Sequence, residues 1–417
     1  MRSYRIPEKM RPEVDRQIDE LLAAGKIRES NSPYAHPIVL VSKPDSSTRL
    51  CVDFRWANAQ TLSDPYPIPR SDEMLRKIGS SNFITNLDCT SGYYQIPMDP
   101  ESIPMTAFLT HRSHYENLYM PFGLKTAGST FQRAMDQLLD RHRSYASAYT
   151  NDTCVHSATW DEHLKHLTQV LQAFKDAGMT LKLKKCSFGK PRVKFIGHVV
   201  GSGEQTVIHD KVEAIKKIPE PQTKKQLRSF IALCSYYRMY INSFADIVSP
   251  LSELLKGTKS GRVALDNTQR RTFEILKERL CSTEVLAVPK YDRPFRLYTD
   301  SSDYAVGSTL AQLDHYGRER PLGFASAKLT ETQRRWSILE REAFAVIHAL
   351  NHFEVIVHGS PIRLYCDNDP LQALVNNSLT SNKICRWMLY MQKFDITVYH
   401  IPGSLNIVAD NLSRVQE

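Results

Sequence analysis

The chain has 417 residues, more than one hydrophobic core serves, and its length sets an expectation of about two to four domains. Hydrophobic residues make up 41% and charged residues 24%, an ordinary globular balance that argues against a disordered or membrane-spanning chain. Lys and Arg outnumber Asp and Glu by 54 to 45, and KLKKCSFGKPRVK (182–194) alone carries six basic residues and no acid, which favours a polyanion partner, nucleic acid above all, over a merely solvated face.

In chain order, Val14, Ile18, Leu21 and Leu22 share one face of a helix predicted over 13–24, and Gly25 stops it. PIVLVSKPDSSTRLCVDFR (37–55) reads as two strands around a polar turn. TLSDPYPIPR (61–70) is Pro-rich and extended. A strand over 83–88 leads to a helix around GSTFQRAMDQLLD (128–140), and AYTNDTCV (148–155) reads as a hairpin with the polar pair Asn151 and Asp152 at its turn. Leu164, Leu167, Leu171 and Phe174 then recur at helical spacing before Gly178. Residues 222–256 read as helical, punctuated by Pro250, and the polar GTKSGRVALDNTQ (257–269) suggests a boundary. A new unit follows, with strands FRLYTD (295–300) and GSTLAQL (307–313), the helix LEREAFAVIHALNHF (339–353), the strand IRLYCD (362–367) and the closing VADNLSR (408–414). Strands and helices interleave throughout, which implies α/β or α+β structure.

Eight scattered cysteines with no CxxC pair offer neither a zinc site nor a disulfide framework, so a reducing compartment is expected. MRSYRIPEKMRPEVDR lacks a signal-peptide pattern, and no apolar run approaches the roughly 20 residues of a membrane span. The expected setting is intracellular, cytoplasmic or nuclear, with no membrane partner.

Two strands that each end in an acid, at Asp88 and Asp152, suggest a Mg2+ site. Nucleotidyl transfer proceeds by in-line attack on phosphorus, and two Mg2+ ions stabilise the attacking and leaving oxygens. Mg2+ takes hard oxygen ligands, so carboxylates are the groups a protein offers. Tyr93 follows close behind Asp88. PFGLKTAGSTFQ supplies a bend that leads into a helix, and Arg49 on a hairpin strand is a candidate phosphate clamp.

RLCVDFRWAN, DPYPIP, LDCTSGYYQI, PFGLKTAGSTFQRAMD, YTND, KCSFGKPRVKFIGHVV and LRSFIALCSYYRMYI, in this order, make the chain similar to the reverse transcriptase region of gypsy-type LTR retrotransposons, from about residue 5 to the C-terminus. The resemblance implies a right-hand polymerase of α+β class, with fingers and palm over 1–180 and thumb or connection over 181–260. It implies that Asp88 and Asp152 bind two Mg2+ ions, with Mn2+ as a substitute. Tyr93 becomes the gate against a ribose 2′-OH, Arg49 and Lys43 hold the deoxynucleoside triphosphate, and Phe122 and Gly123 border the nucleotide pocket. FIGHV (195–199) grips the DNA primer, and the basic run with the following helices holds the RNA template and primer. One position departs from the family's Tyr-x-Asp-Asp pattern: Asn151 stands where the first of the two acids is expected. An amide is neutral and offers one oxygen, so impaired DNA synthesis is expected.

Asp300, Glu342, Asp367 and Asp410 form a second set, two acids at strand ends, one on a helix and one near the C-terminus. Four carboxylates repel unless metal neutralises them. Their order resembles the RNase H domain that follows the polymerase in the same elements, over 261–417, with an α/β mixed sheet. The implied reaction is Mg2+-dependent hydrolysis of RNA in an RNA–DNA hybrid. Glu340 lies two residues from Glu342 and points elsewhere on the helix; the spacing to Ala349 and Leu350 selects Glu342, leaving Glu340 as a surface acid. His163 and His166 read as surface histidines on the polar side of their helix, and the aromatics of SYYRMY, Trp336 and Trp387 as packing residues. A non-catalytic nucleic-acid-binding remnant of a decayed or host-retained element is the alternative reading.

Overall fold

Residues 4, 6–42, 48–208, 215–256, 261–281, 285–366 and 382–400 are described by the computed structural model, in two units, Met1–Ile196 and Gly197–Glu417. Lys43, Asp367 and Asp410 lie outside the described residues.

In the first unit, helix Arg11–Ala23 buries Val14 and Ile18, and Gly25 ends the segment at φ +63°, a conformation open to glycine. This helix packs on a mixed five-stranded sheet through Ile27, Ile38, Phe108 and Tyr115. The sheet contains the hairpin read from the sequence, His36–Ser42 paired antiparallel with Thr48–Val52. A second sheet of four antiparallel strands runs in the order Ala146–Tyr149, Asp152–Ser157, Phe83–Asp88, Ser187–Lys190. Helices Ala127–Leu138 and Trp160–Asp176 cover it, and Leu87, Phe131, Met135, Val155, Val170 and Phe174 form the shared core.

The Trp160–Asp176 helix starts on a capping box, in which the Thr159 side chain and Glu162 satisfy each other's backbone amides. Its inward stripe is His163, Val170 and Phe174, while Leu164 is exposed. Leu167, Leu171 and Phe174 of the leucine pattern still pack on the core, but its first member gives way to His163, which is a buried residue, not a surface one. The reason is hydrogen bonding: the Thr85 hydroxyl lies 2.7 Å from His163 Nε2 and the Ser157 hydroxyl 3.2 Å from Nδ1. Burial lowers the His163 pKa and keeps the ring neutral. His166 also leaves the surface in part, stacked on Tyr145 and bonded to Ser157.

The second unit begins with short antiparallel strands His198–Gly201, Glu204–Val207 and Leu286–Ala287. Helices Lys224–Tyr236 and Phe244–Glu253 follow the 222–256 reading in outline, and a third helix, Asn267–Cys281, follows where the sequence suggested only a boundary. Pro250 does not break the chain but lies inside the Phe244–Glu253 helix, where burial of Phe244, Val248 and Leu251 offsets the missing amide. Tyr237 and Tyr240 are buried in one apolar cluster with Leu227, Phe230 and Phe273, as packing residues should be. The second sheet of this unit is mixed: Glu319–Lys328, Ala305–Leu313 and Phe295–Ser301 run antiparallel, then Ile362–Cys366 and Ile396–His400 add in parallel. Helix Ile338–Val357 covers one face through Ala343, Val346, Leu350 and Phe353. Trp336 and Trp387 pack edge to face at 5.6 Å. No helix among the described residues is long and apolar enough to cross a membrane.

Candidate active sites

Strand Phe83–Asp88 pairs with Asp152–Ser157 so that Asp88 stands directly opposite Asp152. Residues opposite each other in an antiparallel pair project from the same face, so the register alone places the two carboxylates side by side. Tyr149 pairs with Asp152, leaving Thr150 and Asn151 as the hairpin's two-residue tip. Thr150 sits at φ +50°, an uncommon conformation for a β-branched residue.

The electrostatics follow from crowding. Burial and the neighbouring Asp88 charge raise the Asp152 pKa, and Lys185 opposes the shift. Lys185 Nζ lies 3.4 Å from Asp88 Oδ2. The sequence placed this lysine only within a basic run; no local spacing singled out its partnership with Asp88. Asn151 Oδ1 is buried with no hydrogen-bond partner, and a Cβ built on Gly92 would stand 2.4 Å from it. Two carboxylates on one face are hard oxygen donors of the kind Mg2+ takes. Among the described residues no group of three or more His, Cys, Asp or Glu converges.

The proposed nucleotide-side residues are contiguous with this set. Tyr93 follows Gly92 and packs against Phe122 at 5.1 Å and Phe131 at 5.5 Å between ring centroids. The Arg49 guanidinium lies 5.6 Å from the Phe122 ring. Gly123 takes φ +100°, and its carbonyl accepts from the Asn58 amide at 2.8 Å. All six basic side chains of 182–194 are exposed.

In the second unit, Asp300 and Glu342 are buried at 8% and 3% exposure, and Ser301 connects them. The Ser301 amide donates to Asp300 Oδ1 at 2.8 Å and its hydroxyl to Glu342 Oε1 at 2.5 Å. Glu340 points away. It closes the capping box with Ser337 and pairs with Lys383 at 2.6 Å, and that bond lowers its pKa. A further acid, Asp246, feels the same site: burial pushes it up to about 7, with Lys328 working against the shift and the Asp300 charge adding to it. Nothing in the sequence around 246 marked it.

The chain matches the family described as reverse transcriptase (RNA-dependent DNA polymerase) over residues 41–200, and the RNase H-like domain found in reverse transcriptase over 290–394. It is 38% identical to the retrovirus-related Pol polyprotein from transposon opus of Drosophila melanogaster, over 99% of this chain and 43% of that protein. Identity to the Pol polyprotein from transposon gypsy of the same organism is 34%, over 96% of this chain and 40% of that protein. The transposon Tf2-3 polyprotein of Schizosaccharomyces pombe is 32% identical over 100% of this chain and 31% of its own length. The chain thus spans less than half the length of these relatives. Among solved structures, foamy viral protease–reverse transcriptase dRH in complex with double-stranded DNA superposes with a TM-score of 0.86 at 23% identity, covering 96% of this chain and 71% of that one. The foamy viral enzyme in complex with RNA/DNA hybrid gives 0.79 at 23% identity, over 100% of this chain and 56% of that one. These likenesses bear out the fold class, a right-hand polymerase followed by an RNase H-like domain with a mixed sheet.

Proposed function

Since the chain belongs to the reverse transcriptase–RNase H region of gypsy-type LTR-retrotransposon Pol polyproteins, we propose that it binds template–primer nucleic acid and carries both a polymerase site weakened at Asn151 and an RNase H site. The observation that carries this reading is the opposition of Asp88 and Asp152 across one strand pair, with Asn151 at the hairpin tip immediately before Asp152.

Residues 1–180 serve as fingers and palm, 181–260 as thumb or connection, and 261–417 as the RNase H-like domain. Asp88 and Asp152 hold divalent metal, with Asn151 contributing a neutral oxygen at most. Bound Mg2+ or Mn2+, two per site, supplies charge stabilisation to the oxygens exchanged at phosphorus or to an attacking water. Tyr93, flanked by Phe122, presents a bulky face where a 2′-OH would enter, which selects deoxynucleoside triphosphates. Arg49 and Lys43 hold the triphosphate as cationic donors. Asp300 and Glu342, with Asp367 and Asp410, hold metal against the RNA strand of an RNA–DNA hybrid, and Ser301 orients the first two. The exposed lysines and Arg192 of 182–194 contact phosphates of the duplex.

A primer-extension assay paired with a hybrid-cleavage assay, both with added Mg2+, tests the proposal. Hybrid cleavage together with feeble extension that Asn151→Asp restores is the expected result. A second reading, a nucleic-acid-binding remnant without catalysis, draws its support from Asn151; duplex binding with neither activity, before and after Asn151→Asp, is its signature.

A further inference from the structure

Thr150 holds its left-handed conformation against the preference of a β-branched residue, so something fixed must hold the hairpin tip. The holder is Gln132, fully buried on the Ala127–Leu138 helix. Its Oε1 accepts from the Thr150 amide at 2.8 Å. Its Nε2 donates to the Ala148 carbonyl at 2.9 Å and to Asp136 Oδ1 at 2.9 Å. One side-chain amide therefore grips the last turn of the strand and the tip that presents Asn151 and Asp152.

The amide has one workable orientation. Ala148 O and Asp136 Oδ1 are acceptors and require the NH2 group, which leaves the oxygen for Thr150. Asp136 is itself held: its Oδ2 accepts from the Tyr66 hydroxyl at 2.7 Å, a bond that raises the Tyr66 pKa and keeps the phenol a donor. Tyr66 belongs to the Pro-rich 61–70 segment. Arg133, on the same helix as Gln132, stacks over the Tyr66 ring at 4.7 Å, and its Nη2 donates to both oxygens of Asp64 at 2.8 and 2.9 Å. An extended stretch about 70 residues before Asp136 is thus tied by hydrogen bonds to the tip of the metal-binding hairpin.

We propose that Gln132 is a positioning residue for nucleotidyl transfer, its amide oriented by the Tyr66–Asp136 pair, so that the 61–70 segment sets the placement of Asp152. The proposal rests on the polymerase reading above. Gln132→Met removes all three bonds at similar volume. Gln132→Glu keeps an acceptor for Thr150 but sets a second anion against Asp136. Adding Asp136→Asn to Gln132→Glu restores a donor–acceptor pair between the two positions, and the new amide's oxygen still accepts from Tyr66.

The test uses the full chain carrying Asn151→Asp, with thermal unfolding as a check that each variant folds. Two readouts are taken: amide hydrogen exchange of the 148–155 peptide, and kcat and KM for deoxynucleoside triphosphate in primer extension. Gln132→Met and Gln132→Glu are expected to speed exchange about tenfold or more and to lower kcat by a similar factor, with KM moving less than about threefold, as befits an interaction that serves the transition state. The Gln132→Glu/Asp136→Asn pair restores the bond between positions 132 and 136 but leaves the Ala148 carbonyl facing a carboxylate oxygen, so it is expected to recover part of both losses and no more. Unchanged exchange in Gln132→Met, or full recovery in the double variant, overturns the proposal. If Asn151→Asp itself extends no primer, the polymerase reading fails while exchange still decides whether Gln132 holds the tip.

Discussion

Asn151→Asp adds one negative charge where the amide oxygen now lies buried and unpartnered, one residue before Asp152 in the hairpin that pairs with the Asp88 strand. Without metal the change is unfavourable, because the new carboxylate joins a pair in which Asp152 is already driven toward its neutral form. With metal the balance reverses. Two dications less the two existing acids leave a net charge of about +2, and one anion roughly 4 Å from that charge gains about 8 kcal/mol at an effective dielectric near 20. Burying a carboxylate takes back several kcal/mol. A remainder of roughly 3–4 kcal/mol corresponds to about a hundred- to a thousandfold in rate. Primer extension at saturating Mg2+ reads that factor directly. A thermal scan supplies the independent half: the Asn151→Asp variant should melt below the parent in chelator and gain more from Mg2+ than the parent does. Equal extension rates, or equal Mg2+ stabilisation of the two proteins, would show that position 151 does not face the metals and that the charge argument is wrong.

Acid should weaken the first unit through His156, whose pKa burial pushes down to about 4, with the charges of Lys77, His166 and His163 assisting. Below its ordinary value near 6.5 the unfolded chain takes up a proton that the folded chain refuses, so stability is full above that pH and falls by roughly 3 kcal/mol on the way down to about 4. Urea unfolding at several pH values should show this slope, and His156→Gln should flatten it. Glu342→Ala should abolish hybrid cleavage, whereas Glu340→Ala should cleave normally and lose about 1 kcal/mol from the missing cap; cleavage and melting curves on the two proteins separate the roles. Lys184→Ala and Lys190→Ala, both at exposed positions, should each reduce the salt slope of template–primer binding by about one and leave sequence preference alone, as read from Kd across a salt series.

Local patterns in the chain carried the fold a long way. The two strands around a polar turn at 37–55 and the acid-ended strand at 83–88 each specify an element, whereas the polar pair Asn151 and Asp152 marked the hairpin tip one residue late: strand pairing puts Thr150 and Asn151 at the tip and Asp152 in the strand. Once the hairpin closes in two residues, Asp152 has one place to go, and the neighbouring strand brings Asp88 to it. What stayed hidden is chemistry that joins distant segments. Leucine spacing pointed the 160–176 helix by its leucines, because nothing near residue 163 reveals that Thr85 and Ser157 satisfy a buried imidazole.

The same limit applies at both sites, and it has one cause. Periodicity records which face of an element is apolar, and the polar residues that arrange acids are read by that measure as surface. Lys185 beside Asp88, Ser301 between Asp300 and Glu342, and Gln132 under Thr150 all lie in this class. Each is a hydrogen-bonding or charged group whose partner comes from another element, 97 residues away for Lys185 and Asp88. A buried polar group such as Gln132 must find its partners or cost free energy, so its position is as tightly determined as that of a core leucine, whereas the exposed Lys185 is held by the Asp88 charge. The determinant is the set of partners, and that set exists only after the strands have paired. Acids are therefore visible in a sequence as candidates, while the residues that aim them become visible only in the fold.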